Sequence, residues 1–212
     1  MIVAIFLVIL TLLAIYANQF IRKHNVKIYI AAVVISIVSF IFRDKAPALP
    51  FVKGFLGLSF FYIVMLTGAL KNKSKLRLKF MGVRREYSII GFIVATPHAL
   101  NYLMEWLNAT RSLEWFGLIV FVLMIPLFIT SFATIRKKMK NKTWKLLQSA
   151  AYLIYVLLFV HLILNYTKTI NLILYIIILG TYFVMKIIYE INKYKTKKTK
   201  QVKEISEEPL KQ

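Results

Sequence analysis

Residues 87–107 read YSIIGFIVATPHALNYLMEWL, a stretch whose only formal charge is Glu105, near its end. As a helix rising 1.5 Å per residue it is about 30 Å long, the thickness of a bilayer's hydrocarbon core. Arg84, Arg85 and Glu86 stand immediately before it. Working outward, further apolar blocks lie at 2–20, 28–42, 51–70, 115–135, 144–166 and 170–190. The block at 28–42 is the shortest. The pattern predicts an all-α fold, a polytopic transmembrane helical bundle with seven spans.

Composition agrees. Hydrophobic residues make up 59% of the 212, where a soluble domain stays near half. No basic residue precedes the first block and no small-residue cleavage site follows it, so it reads as a retained helix. Residues 170–190 carry apolar side chains on every face, as expected of a span turned mainly to lipid. The chain has no cysteine, which excludes disulfides, thiolate metal sites, iron–sulfur clusters and thiol catalysis.

The net charge of +21 sits between the apolar blocks and in the tail. Residues 71–86 hold seven Lys or Arg against Glu86 alone, and residues 136–145 hold six with no acid. The segments at 105–114 and 166–170 carry few cations. Under the positive-inside rule the basic loops and the tail are cytoplasmic, and seven spans then place the N-terminus outside. Membrane lipids, rather than nucleic acid, are the expected partners of these cations. Residues 193–212 mix Lys, Thr, Glu and Gln with few large apolar side chains, and are expected to be a disordered cytoplasmic tail.

Ionisable residues inside a bilayer are costly and so point to function. Of three histidines, His24 falls in a short loop, while His98 and His161 fall within spans. They follow Arg85 and Lys145 by thirteen and sixteen residues, which puts both about 20–24 Å from the basic face. Imidazoles at one depth on neighbouring helices can grip a single metal centre from opposite sides. A helical stripe of Gly91, Ala95, His98, Tyr102 and Glu105 leaves room at its small members for a planar macrocycle. Pro97 removes one backbone donor just before the histidine. The competing reading is a pair of histidines bonding across a helix interface lined by small residues. Zinc fits less well, because no third His, Asp or Glu shares the level.

Arg84-Arg85, Phe92, His98 and Tyr102, followed by Thr130-Ser131, a basic loop, Trp144, Tyr152 and His161, resemble the MsrQ/YedZ-type heme-binding membrane subunit. That type belongs to the ferric-reductase-like transmembrane superfamily. The resemblance covers about residues 51–190. It implies a six-helix core plus one extra N-terminal helix, with N-terminal transmembrane helices at 1–50 and the heme-binding core at 51–192. It also implies one b-type heme whose iron is held by His98 and His161, packed by Gly91, Ala95 and Tyr102. The implied function is that of an electron-transfer subunit in the cell membrane. Electrons would come from a quinol or a cytosolic flavoprotein and leave to an extracytoplasmic redox partner. The family usually carries a further histidine thirteen residues before the last; here that position is Gln148, so an inner heme is not expected. Gln148, Arg84 and Arg85 are candidates for a quinone site instead. The alternatives are a heme-free membrane scaffold and a small transporter, the latter disfavoured because no carboxylate lies mid-span and no internal symmetry is visible.

Overall fold

The structure is a computed structural model in which residues 2–165 and 169–206 are described. Every regular element among them is helical. In chain order these are α1 (Ile2–Tyr16), α2 (Asn18–Lys23), α3 (Asn25–Ile41), a 3₁₀ turn at Ala46–Ala48, α4 (Leu49–Val52), α5 (Phe55–Thr67), α6 (Lys75–Leu107), α7 (Trp115–Ser131), α8 (Ala133–Lys138), α9 (Asn141–Asn165) and α10 (Thr169–Ser206).

Polar and special residues cut the apolar blocks. The first block breaks at Ala17, so α1 and α2 are separate. The block at 51–70 breaks at Gly54, whose φ of +73° suits a residue without Cβ. There α4, with the turn before it, meets α5 at a 42° bend. α6 starts where Ser74 Oγ accepts the Arg77 backbone N–H, a side-chain N-cap. It then runs 33 residues through Pro97 to Leu107.

The seven expected spans meet a stricter count. Two described helices, Asn141–Asn165 and Ile173–Thr196, are long and apolar enough to cross a membrane by length and composition, and the bent pair around Gly54 makes a third. α1, α3 and α7 are apolar but have 15, 17 and 17 residues, so each is about 25 Å long or less. The result is a helical membrane protein in which several crossings depend on helices that are short or carry polar residues.

α10 continues as helix to Ser206, into the segment expected as a cytoplasmic tail. The residues after 192 are rich in Lys, Gln and Glu, all good helix formers, and no proline occurs before Pro209. Lys193 also pairs with Glu190 one turn back, at 3.6 Å. Residues 207–212 of that expected tail lie outside the described residues.

The core is built on α5, whose side chains are buried from Gly57 to Met65. It packs against α6 and α1, and α6 in turn contacts α3 and α7. A Cβ on Gly57 would stand 2.8 Å from Ala95 Cβ, so α5 and α6 approach as closely as small residues allow. Two buried hydroxyls find backbone partners on neighbouring helices, as a water-free interior favours. Tyr87 donates to Leu10 O at 2.7 Å and Ser36 to Ile93 O at 3.2 Å. Glu86, expected at the inner surface, is 2% exposed and paired with Arg85. α9 and α10 bury few of their apolar side chains fully, the arrangement of helices that face lipid.

Candidate functional site

The arrangement of α5, α6, α7 and α9 encloses a cavity of about 450 Å³, a volume typical of small-molecule and cofactor sites. Its walls are largely apolar, with Phe61, Leu118, Phe121, Leu158 and Leu162 among them. His98 enters from α6 and His161 from α9, and their ring centroids lie 6.3 Å apart. The two positions expected at one depth thus meet across one cavity.

Each imidazole has a neighbour for its Nδ1 atom. His98 Nδ1 lies 2.9 Å from Val52 O, the last residue of α4, so the break at Gly54 gives the imidazole a carbonyl to bind. That bond leaves Nε2 as the free ring nitrogen of His98, the way a metal-ligating histidine is usually oriented. His161 Nδ1 lies 3.2 Å from Asn165 Nδ2, one helical turn on. Asn165 is tied in turn to Arg111, which binds Glu114 at 3.0 Å. Tyr102 stands edge-on to His98 at 4.8 Å, with the Arg111 guanidinium 4.5 Å from its ring centre and the Lys53 ammonium 5.7 Å away.

Two glycines clear space for the rings. A Cβ on Gly54 would stand 3.1 Å from His98 Cγ, and one on Gly117 would stand 2.8 Å from His161 Cε1. Neither residue stands out in the sequence, because their role comes from what faces them. Of the small residues expected at the site, Ala95 lines the cavity and Gly91 does not. A Cβ on Gly91 would meet Phe60 Cβ at 2.9 Å, so that position serves the α5–α6 contact and its expected packing role is corrected. Tyr102 lines the cavity as expected. His24 lies between α2 and α3 against Phe20, away from the site.

The arrangement suits a metal that brings most of its own ligands. Among the described residues, no group of three or more His, Asp or Glu could hold an ion by side chains alone. Two imidazoles on opposite sides of one ion, with bonds of about 2 Å and about 1.1 Å from nitrogen to ring centre, have centres about 6 Å apart. The observed 6.3 Å fits that spacing. A porphyrin supplies the four remaining ligands to such a pair. The cavity, the two cleared ring positions and the donor set therefore fit a heme.

A second cavity of about 590 Å³ lies toward the basic loops. Gln148, at the position where the resembled type has histidine, donates through Nε2 to Thr130 Oγ1 at 3.2 Å. Trp144 Nε1 donates to Thr130 O at 3.2 Å. Thr130, Trp144 and Gln148, picked out in sequence as parts of a motif, thus tie α7 to α9.

A protein of Treponema pallidum (strain Nichols) described as uncharacterized is 31% identical over 147 residues, covering 60% of this chain and 41% of the relative. The magnetosome protein MamZ of Paramagnetospirillum magneticum is 37% identical over 91 residues, 38% of this chain and 14% of the relative. The chain therefore spans less than half the length of either curated relative. No solved structure matches. The family described as ferric reductase like transmembrane component matches residues 53–159, which run from α5 into α9, include His98 and end two residues before His161. The chain belongs to the ferric reductase like transmembrane component family.

Proposed function

We propose that the chain is a membrane b-type cytochrome, an electron-transfer subunit that holds one heme between His98 and His161. The observation carrying this reading is the facing imidazole pair in a cavity closed to larger side chains by Gly54 and Gly117. A heme bound there supplies a one-electron carrier. His98 and His161 would hold the group, and a heme held by two imidazoles would favour electron transfer over oxygen chemistry. Val52 O and Asn165 orient the two rings. Ala95 and Tyr102 border the bound group, and the apolar walls keep water from it.

Within the family, the sequence motifs favour the MsrQ/YedZ type, with a six-helix core and one additional N-terminal helix. The subunit sits in the cell membrane with its C-terminus cytoplasmic. It takes electrons from a quinol or a cytosolic flavoprotein and passes them to an extracytoplasmic reductase partner. With no histidine at position 148, the quinol is the favoured donor, because a single heme on the far side is remote from a cytosolic protein.

The test is an absorption spectrum of the full chain purified from cells supplied with heme. A sharp b-type spectrum that appears on reduction, and is absent from both His98→Ala and His161→Ala, is expected. A heme-free preparation of the unaltered chain overturns the proposal.

A further inference from the structure

The second cavity contains more positive charge than its own walls use. Arg84, Arg85, Arg136, Lys137 and Lys145 line it, and neither Asp nor Glu does. Arg85 is neutralised by buried Glu86. Arg136 is bound to Asn141 and to Met139 O, and stacks over Trp144 at 4.4 Å. Arg84, Lys137 and Lys145 have no ion-pair partner among the described residues.

The polar groups of the wall are mostly occupied with one another. Gln148 Nε2 is directed to Thr130 Oγ1 and Leu127 O, Thr130 donates to Pro126 O, and Ser131 donates to Leu127 O. A neutral carbonyl ligand such as a quinone would leave three cations unmatched beside it. Much of the rest of the lining is apolar, with Val64, Met65, Phe92, Phe128 and Ile154 among it. Met81 and Tyr152, which also line it, are each about half exposed. The occupant that satisfies both halves is an amphiphile with an anionic phosphate at the cationic end and hydrocarbon against the aromatic wall. Basic pockets between membrane helices bind anionic lipid headgroups in this way.

We propose that this cavity is a binding site for an anionic phospholipid, with the phosphate ester between Arg84, Lys137 and Lys145 and the upper acyl chains along Phe92, Phe128 and Ile154. Its volume accommodates a headgroup and the first part of the chains. The site is separate from the paired-imidazole cavity, and it does not depend on whether that cavity holds heme.

The full chain, purified in neutral detergent, is titrated with phosphatidylglycerol or phosphatidylcholine, and bound lipid is read by native mass spectrometry. Phosphatidylglycerol should bind more tightly than phosphatidylcholine. Each of Arg84→Gln, Lys137→Gln and Lys145→Gln should weaken it about fivefold, from about 1 kcal/mol per cation at the surface. Arg84→Lys, which keeps the charge, should retain most of the affinity. Lys71→Gln combined with Lys73→Gln, which removes two cations from the neighbouring basic loop without touching the cavity lining, should leave binding unchanged. Equal losses in the cavity and loop variants overturn the proposal, since they indicate attraction to the basic surface as a whole. Displacement of the lipid by millimolar inorganic phosphate also overturns it, by assigning the cations to a soluble anion. Exposed Lys137 provides a variant that does not disturb the core, so the test stands even if Arg84→Gln fails to fold.

Discussion

At Gly117 the chain has no side chain where one would strike the His161 ring, since a Cβ there would come within 2.8 Å of Cε1. The distance is too short for any contact, so Gly117→Ala must push the imidazole aside or move α7 from α9. Disturbing groups that orient a metal ligand commonly costs 10–100-fold in affinity, and a loss of that order in heme retention is expected. Heme titration of the purified variant, with helicity checked by circular dichroism, measures it; retention equal to the unaltered chain would show that the ring has room to shift. The two histidines were legible because ionisable side chains are expensive in a span, and Tyr102 and Ala95 followed from helical spacing. Gly117 and Gly54 were not legible, because a glycine's importance depends on the residue opposite it. Gly91 misled for a related reason. It shares the helical stripe of His98 but lies two turns deeper, where Phe60 and Phe61 of α5 fill the space.

Among elements, the α5–α6 pair is the frame on which both cavities depend. Gly57 and Ala95 set its spacing, and Ala95 also borders the imidazole cavity. Gly57→Leu places a branched side chain where even a Cβ meets Ala95 at 2.8 Å. Overpacking of this kind costs about 1–3 kcal/mol. We expect a lower thermal midpoint and weaker heme retention together, whereas Gly57→Ala should show a smaller change in both. Thermal unfolding followed by tryptophan fluorescence, alongside the reduced heme band, reads the two effects. A variant with unaltered midpoint would mean that α5 and α6 slide past each other without loss. The helices themselves were legible as apolar blocks. Their breaks were less so: Ala17 and Gly54 interrupt runs that read as continuous, since nothing in hydropathy marks where the backbone must turn. The length of α10 is not legible in composition, because a polar segment can be helical by propensity alone and charge content argues only against burial.

At the scale of the whole molecule, the two cavities divide the bundle into ends of different chemistry. Toward Tyr102 and Arg111 stand two imidazoles, and toward the basic loops stand arginines, lysines and Gln148. Phe61 and Met124 line both cavities and so form part of the wall between them. A second metal cofactor at the basic end would need two ligands facing each other across α6 and α9. No histidine is among the described residues that line that cavity; Arg84 and Arg85 stand there on α6 and Gln148 on α9. A guanidinium is a permanent cation with no lone pair to donate, and the Gln148 amide nitrogen is bound to Thr130. One heme per chain is therefore expected, by pyridine hemochrome absorbance against protein concentration. Gln148→His supplies only one of the two missing ligands, so its stoichiometry should stay near one rather than rise toward two. A value near two in the unaltered chain would overturn this account of the basic end, and with it the assignment of the spare cations to a lipid phosphate.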